Sequence, residues 1–334
     1  MSLLNQILLE YTNGISAKMD ASVVIITRNR PELLSRAIDK IITQDYPKDK
    51  FELIIVDDGG EKDLSLVIEA KKKKFKNINL FWQDSNGLAA GRNLAAKKAV
   101  SSIVIFTDDD CEPQKQWLSE IIKSFANKEV IGVEGKIVPY GEKKFFTNAP
   151  ENLIGNNFIG ANSAYRTKII RELKYFEPLN IYKDDSEFAF RAMKRGKIVF
   201  AENAVVKHEW RSYSPLRFFD NWFRLKNDWL TLLRHPKEYF KYIGQSLFTN
   251  LLKSIFIFAI LFFVSNPSSE FFIPFVFVFF LFLVYNLLKL KANMNSFFEF
   301  LKFCSIVGFY YLGYPLFFTI GFFQGTLMFL RGKK

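Results

Sequence analysis

"SVVIITRNRPELLSRAIDKIIT" (22–43) joins an almost unbroken β-branched apolar run to a short polar loop and then, after Pro31, to a stretch with helical patterning. The succession recurs along the first 210 residues. "FELIIVD" (51–57), "INLFW" (78–82) and "SIVIFT" (102–107) are also short and nearly continuous apolar runs, the pattern of strands buried on both faces of a parallel sheet. "DLSLVIEAKKKK" (63–74) and "GLAAGRNLAAKKAV" (87–100) fill the gaps as helices. Strands alternating with helices predict an α/β architecture. In open α/β sheets ligands bind beyond the carboxyl ends of the strands. The polar residues that follow the strands are therefore the candidates for function: Thr27 to Arg30, Asp57 to Gly60, and Asp108 to Asp110.

The last of these groups lies in "VIFTDDDCEP" (104–113), three adjacent carboxylates in a chain whose formal net charge is +12. Neighbouring exposed charges repel by roughly 1 kcal/mol in water and by more where water is thinned out, so the cluster is expected to hold a cation. No GxGxxG follows any strand and no GxxxxGK[ST] occurs in the chain, which argues against a dinucleotide dehydrogenase or a P-loop enzyme. Carboxylates after two separate strands instead suggest a divalent metal that bridges the protein to a diphosphate, since hard cations prefer oxygen ligands. Cys111 and Cys304 fall in different compositional environments, and neither a disulfide nor thiol chemistry is expected.

Six stretches in order, "VVIITRNRPELL", "IIVDDGG", "NGLAAGRN", "VIFTDDDCEP", "GANSAYR" and "DDSEFAFRAMKRG", resemble the family 2 glycosyltransferases. The resemblance covers roughly residues 20–210. It implies a GT-A (Rossmann-like nucleotide-diphospho-sugar transferase) fold and an inverting transfer from a nucleotide sugar, with a UDP or GDP sugar as donor. By the same resemblance Thr27, Asn29 and Asp58 contact the nucleotide. Asp108 and Asp110 match the Asp-x-Asp signature that binds ribose or metal, with Asp109 as a further candidate. A divalent metal, Mn²⁺ or Mg²⁺, is implied at Asp108 and Asp110, and some relatives place a metal-binding histidine where this chain has His208. Asn162 matches the loop lining the sugar and acceptor site.

The family places its general base in a Glu-Asp-x-Asp/Glu arrangement. This chain reads Asp184, Asp185, Ser186, Glu187, so Asp185 is the expected base, with Asp184 and Glu187 beside it at the acceptor. Independently of the family, Arg92 follows a glycine that opens a helix, where free N–H groups favour an anion, and could pair with phosphate bidentately. Glu187 and Arg191 stand four apart in the favourable helical order, and Gly196 is expected to terminate that helix.

Composition separates a globular part, up to about Lys241, from an apolar part beyond about Ser246; with the resemblance the chain divides into 1–20 (N-terminal extension), 21–212 (GT-A domain), 213–245 (interfacial amphipathic helices) and 246–334 (transmembrane region). "SPLRFFDNWFRLKNDWLTLLRHP" (214–236) mixes aromatic and basic residues as interfacial helices do. Beyond it, 247–266, 271–288 and 303–330 are apolar enough to suggest transmembrane helices. The distribution of Lys and Arg then predicts a multi-pass cell-membrane protein with its catalytic domain on the cytoplasmic side and membrane lipids as partners. No cleavable signal is expected at the N-terminus. "KKKKFK" (71–76) lacks a reading element or stacking aromatics, so nucleic acid is not an expected partner.

The expected activity is transfer of a sugar to a hydroxyl of a lipid-linked or growing glycan. A polyprenyl-phosphate sugar synthase is the runner-up; its acceptor is already ionised and needs no base, whereas the "DDSE" acids suit a hydroxyl. A catalytically silent scaffold or sugar-binding subunit would be expected to lose acids that this chain keeps.

Overall fold

The structure, a computed structural model, describes residues 19–142, 147–177, 183–212, 220–243 and 320–332. It divides into two compact units, one of Met1–Tyr140 with Ala149–Glu209 and the other of Gly141–Asn148 with Trp210–Lys334.

The first unit is built on an eight-stranded sheet. Its elements are β1 (Ala21–Thr27), α1 (Pro31–Ile42), β2 (Phe51–Asp58), α2 (Ser65–Lys72), β3 (Ile78–Gln83), α3 (Leu88–Lys98), β4 (Ile103–Asp108) and β5 (Cys111–Pro113). They continue with α4 (Trp117–Ser124), β6 (Val130–Tyr140), β8 (Asn162–Arg166), α5 (Thr167–Glu172), α6 (Asp184–Ala192) and β9 (Lys197–Glu209); β7 (Thr147–Asn148) belongs to the second unit. The strand order is β3-β2-β1-β4-β8-β6-β9-β5. The four strands read from the sequence pair in parallel, Ile26 lying opposite both Val56 and Asp108, and β8 then runs antiparallel to β4.

Burial on both faces explains the continuous apolar runs. Val23 and Ile25 of β1 enter one core with Leu34, Ile38 and Ile41 of α1 and Trp117 of α4. Val24 and Ile26 enter the opposite core with Ala95 of α3, Ile170 of α5 and Phe188 of α6. Each fully buried Val, Leu, Ile or Phe side chain among them contributes about 1.5–3 kcal/mol relative to exposure. Strand β3 departs from the expectation: it is an edge strand, with Leu80 and Trp82 exposed. Helix α6 also ends earlier than the glycine signal suggests, at Ala192. Gly196 lies just past the following turn, where a Cβ would stand 2.7 Å from Ile131 Cγ2, so close packing explains that glycine.

The order of connections positions the site. From β1 the chain adds β2 and β3 on one side, then returns to place β4 on the other. The ends of β1 and β4 therefore flank the switch point at which such sheets bind ligands.

In the second unit β7 pairs antiparallel with β10 (Arg211–Ser212). Helices α7 (Asp220–Arg234) and α8 (Pro236–Tyr242) follow. A helix over 320–331 packs on α7, where a Cβ on Gly325 would lie 2.7 Å from the Lys226 carbonyl oxygen and Trp229 meets Phe322 edge to face.

The expectation of a multi-pass membrane protein with C-terminal transmembrane helices is corrected. Among the described residues no helix is long and apolar enough to cross a membrane. Helix α7, at 15 residues, carries Asp220, Arg224, Lys226 and Asp228, whereas a crossing needs about 20 predominantly apolar residues. The segments 247–266 and 271–288, and 303–319 of the third, lie outside the described residues.

Candidate active site

Strand β4 ends at Asp108, and the next two acids form the turn into β5. The three carboxylates divide by direction. Asp109 turns inward and is almost wholly buried; it accepts a 2.6 Å hydrogen bond from Thr27 Oγ1 and a 3.1 Å charged one from Arg30 Nη1. Asp108 and Asp110 face His208, which β9 delivers because β5 pairs antiparallel with it and sets Cys111 opposite His208. His208 Nε2 lies 3.2 Å from Asp110 Oδ1 and 3.7 Å from Asp108 Oδ2.

Ligand-capable atoms of Asp108, Asp110, Cys111 and His208 all lie within 4.8 Å of one another. Burial works to lower the His208 pKa, but the carboxylates of Asp108 and Asp110 outweigh it and raise it. Burial, reinforced by the same two acids, pushes the Cys111 thiol up. Two carboxylates and an imidazole thus fit a hard or borderline divalent cation, while a protonated, buried thiol adds little to such a site.

The nucleotide candidates form a set of loop braces. Asn29 adopts a left-handed φ of 59°, and its Oδ1 accepts from the backbone N–H groups of Glu61 (2.6 Å) and Lys62 (3.1 Å), tying the loop after β1 to the loop after β2. Asp58 accepts from Gln83 Nε2 at 2.7 Å and from the N–H groups of Asn86 and Gly87 at 2.9 and 3.1 Å, fixing the loop that opens α3. Gly87 sits there at φ 84°, a conformation costly for residues with a Cβ.

Arg92 lies away from the surface in a buried ion pair with Asp184, the first residue of α6. Burial acts to lower its pKa, but the charges of Asp184, Asp185 and Asp108 together hold it above the ordinary arginine value. One guanidinium therefore feels the metal-type cluster and the acids of α6 at once. Burial raises the Asp184 carboxyl, with Arg92 opposing the rise.

Asp185 is half-buried, unlike its buried neighbours Asp184 and Glu187. It accepts from Gly160 N–H at 2.9 Å and from Ser186 N–H at 2.7 Å. Glu187 pairs with Arg191 at 2.8 Å, as the four-residue spacing predicts, and Arg191 also donates to the carbonyls of Leu173 and Tyr175. Asn162 is fully buried. Its Nδ2 donates to the carbonyls of Lys136 and Ala204 and its Oδ1 accepts from Trp117 Nε1, all within 2.9 Å, which makes it a brace between strands.

Arg30 falls within the strand-end candidates read from the sequence, whereas sequence reasoning missed Gln83, Gly160 and Glu134. Of these only Glu134 left a trace, as a lone acid inside the otherwise apolar run 130–135.

The chain is similar to the glycosyltransferase AglE of Haloferax volcanii, 25% identical over 208 residues that cover 58% of this chain and 68% of that one. It is similar also to the poly(ribitol-phosphate) β-N-acetylglucosaminyltransferase TarS of Staphylococcus aureus, 26% identical over 188 residues, 52% of this chain but only 32% of that one. Among solved structures, a mannosyltransferase of Pyrobaculum calidifontis in complex with GDP-Man and Mn²⁺ matches with a TM-score of 0.56 at 17% identity, covering 96% of this chain and 89% of that one. At that identity the likeness is one of fold. The sequence profile described as glycosyl transferase family 2 matches residues 22–195, more than half of the chain, and the protein belongs to that family.

Proposed function

We propose that this glycosyltransferase moves a sugar from a UDP or GDP donor to a hydroxyl of a glycan or lipid-linked glycan, with inversion at the anomeric carbon. The observation that carries the reading is the position of Arg92, whose buried guanidinium pairs with Asp184 of α6 and lies within electrostatic reach of both Asp185 and Asp108 of the Asp-x-Asp pair. A donor diphosphate at the first acid and an acceptor hydroxyl at the second would then meet in one site.

The residues divide the work. The loops braced by Asn29 and Asp58, with Thr27 beneath them, supply the nucleotide surface. Asp108, Asp110 and His208 would hold a divalent metal, which when bound offsets the charge that develops on the departing diphosphate. Asp185 is the accessible acid of its helix and accepts the proton of the attacking hydroxyl; the new bond forms at the anomeric carbon as its bond to the diphosphate oxygen breaks. Positioned proton removal of this kind contributes about 10²–10⁴ in rate. A hydroxyl acceptor is favoured over a polyprenyl phosphate because an ionised phosphate brings no proton for Asp185 to take.

Relatives support the chemistry by their names. TarS has been crystallised with UDP-GlcNAc, the Pyrobaculum enzyme with GDP-Man and Mn²⁺, and a relative from Methanococcus voltae is named as a glucuronosyltransferase acting on a dolichyl N-acetylglucosaminyl phosphate. The test is thermal stabilisation by UDP and GDP, each with and without Mn²⁺ or Mg²⁺, followed by donor turnover with glycan acceptors. Stabilisation by one nucleotide that requires metal is expected; no response to either nucleotide with either metal would overturn the reading.

A further inference from the structure

Glu134 is an acid in the interior of the sheet, 4% exposed, on β6 opposite Ser163 of β8. Among the described residues no cation pairs with it. Its carboxylate is met instead by the backbone of one loop: Asn156 N–H donates to Oε1 at 2.5 Å, and Asn157 N–H (3.2 Å) and Phe158 N–H (3.0 Å) donate to Oε2. Asn152 Nδ2 adds a fourth bond at 3.1 Å, while Asn152 Oδ1 accepts from Gly155 N–H at 3.0 Å.

The loop so held has an expensive backbone. Gly155, Asn156 and Phe158 all have positive φ, at 84°, 70° and 51°, and for residues with a Cβ that conformation persists only where surrounding contacts enforce it. Glu134 supplies the enforcing contacts. What the loop gains is a fixed exit. Phe158 docks edge to face on Phe190 of α6, ring centroids 5.9 Å apart. Two residues on, Gly160 N–H donates to Asp185 Oδ2. A Cβ on Gly160 would stand 2.2 Å from Arg92 Nη2, so a side chain there would have to displace the guanidinium that pairs with Asp184.

We infer that Glu134 is a positioning residue for glycosyl transfer: through the 155–160 loop it sets the Gly160 N–H that orients the Asp185 carboxylate. The inference rests on the reading of Asp185 as the base. A carboxylate accepts from all four donors at once, whereas the amide of Glu134→Gln would turn an N–H₂ group toward N–H donors and release part of the loop. Misplacement of a catalytic group by about 1 Å can cost on the order of 10² in rate.

The experiment compares kcat, the KM for an acceptor that supports turnover and the affinity for nucleotide with Mn²⁺ in wild type, Glu134→Gln, Asp185→Asn and the double variant. Glu134→Gln is expected to lower kcat about 10–10²-fold, with nucleotide affinity within about twofold of wild type. In the Asp185→Asn background the same change is expected to cost less than about twofold, since a residue acting through another loses its effect when that residue is gone. Asn152→Ala, which withdraws one donor to the carboxylate and the acceptor of Gly155 N–H but leaves the carboxylate in place, should give a smaller fall with the same dependence on Asp185 and serves if Glu134→Gln does not fold. Multiplicative losses in the double variant would overturn the inference, as would full activity of Glu134→Gln beside a crippled Asp185→Asn. A wild-type rate for Asp185→Asn would remove the base reading and the inference with it.

Discussion

Thr27 Oγ1 donates a 2.6 Å hydrogen bond to Asp109 Oδ2, tying the end of β1 to the middle acid of the 108–110 run. That bond draws Asp109 inward and leaves Asp108 and Asp110 to face His208. The run is therefore arranged as Asp-x-Asp in three dimensions. Asp109→Ala leaves Thr27 Oγ1 buried without its acceptor, a cost of about 1–3 kcal/mol. Chemical denaturation should show that loss while the protein still gains stability from Mn²⁺ with nucleotide. Asp110→Ala should do the reverse, abolishing the metal-dependent gain. Equal metal responses in the two variants would refute the division of roles.

His208 contributes the nitrogen of the cluster, and imidazole is a better partner for Mn²⁺ than for Mg²⁺. Wild type is expected to be stabilised, and to turn over donor, at least as well with Mn²⁺ as with Mg²⁺. His208→Asn should weaken the Mn²⁺ response more than the Mg²⁺ response. Chelation should abolish metal-dependent nucleotide binding in wild type, and a strict Mg²⁺ requirement would count against His208 as a ligand.

The Arg92–Asp184 pair yields a stability prediction. Each side chain is 5% exposed, and removing one partner of a buried pair typically costs about 3–5 kcal/mol because the other charge is left uncompensated. Arg92→Met should show a loss of that order in urea unfolding. Asp184 adds a pH dependence. Burial pushes its carboxyl up to about 6, so relative to an unfolded carboxyl near 3.8 its contribution is fully present below that lower value and declines as pH rises through the upper one. Asp184→Asn should flatten the part of the stability profile between these limits. An unchanged slope there would show that Asp184 titrates as it does in the unfolded chain.

How much of this was legible follows from where each signal resides. The four parallel strands declared themselves because burial on both faces leaves a continuous apolar run, and Asp108 to Asp110 stood out as like charges crowded at a strand end. Glu187 with Arg191 was legible because a helix makes residues four apart neighbours. The partner of Asp184 lies 92 positions earlier in the chain, and no local pattern records such a distance. The edge exposure of Leu80 and Trp82 depends on which strand lies outermost, a property of topology. Strand β9, with only Ala204, Val206 and His208 buried along its 13 residues, left only the short strand-like run before His208, weaker than the runs of the four parallel strands. Glu134 showed as an acid among apolar neighbours, but its partners are backbone N–H groups that the sequence does not distinguish.

The last prediction concerns Asp185, which alone among the acids of 184–187 remains half-exposed while Asp184 and Glu187 are occupied by Arg92 and Arg191. Asp185→Asn keeps the shape and an oxygen for Gly160 N–H but cannot take a proton. With a hydroxyl acceptor kcat should fall by about 10²–10⁴. Nucleotide affinity should hardly change, because the proposed role places the residue at the acceptor and not at the donor. A polyprenyl phosphate acceptor is already ionised, so the same substitution would then cost far less. Measuring nucleotide affinity beside kcat separates a binding defect from a chemical one. Near-wild-type kcat on a hydroxyl acceptor would exclude Asp185 as base, and retention of rate only with a phosphate acceptor would move the assignment to a polyprenyl-phosphate sugar synthase.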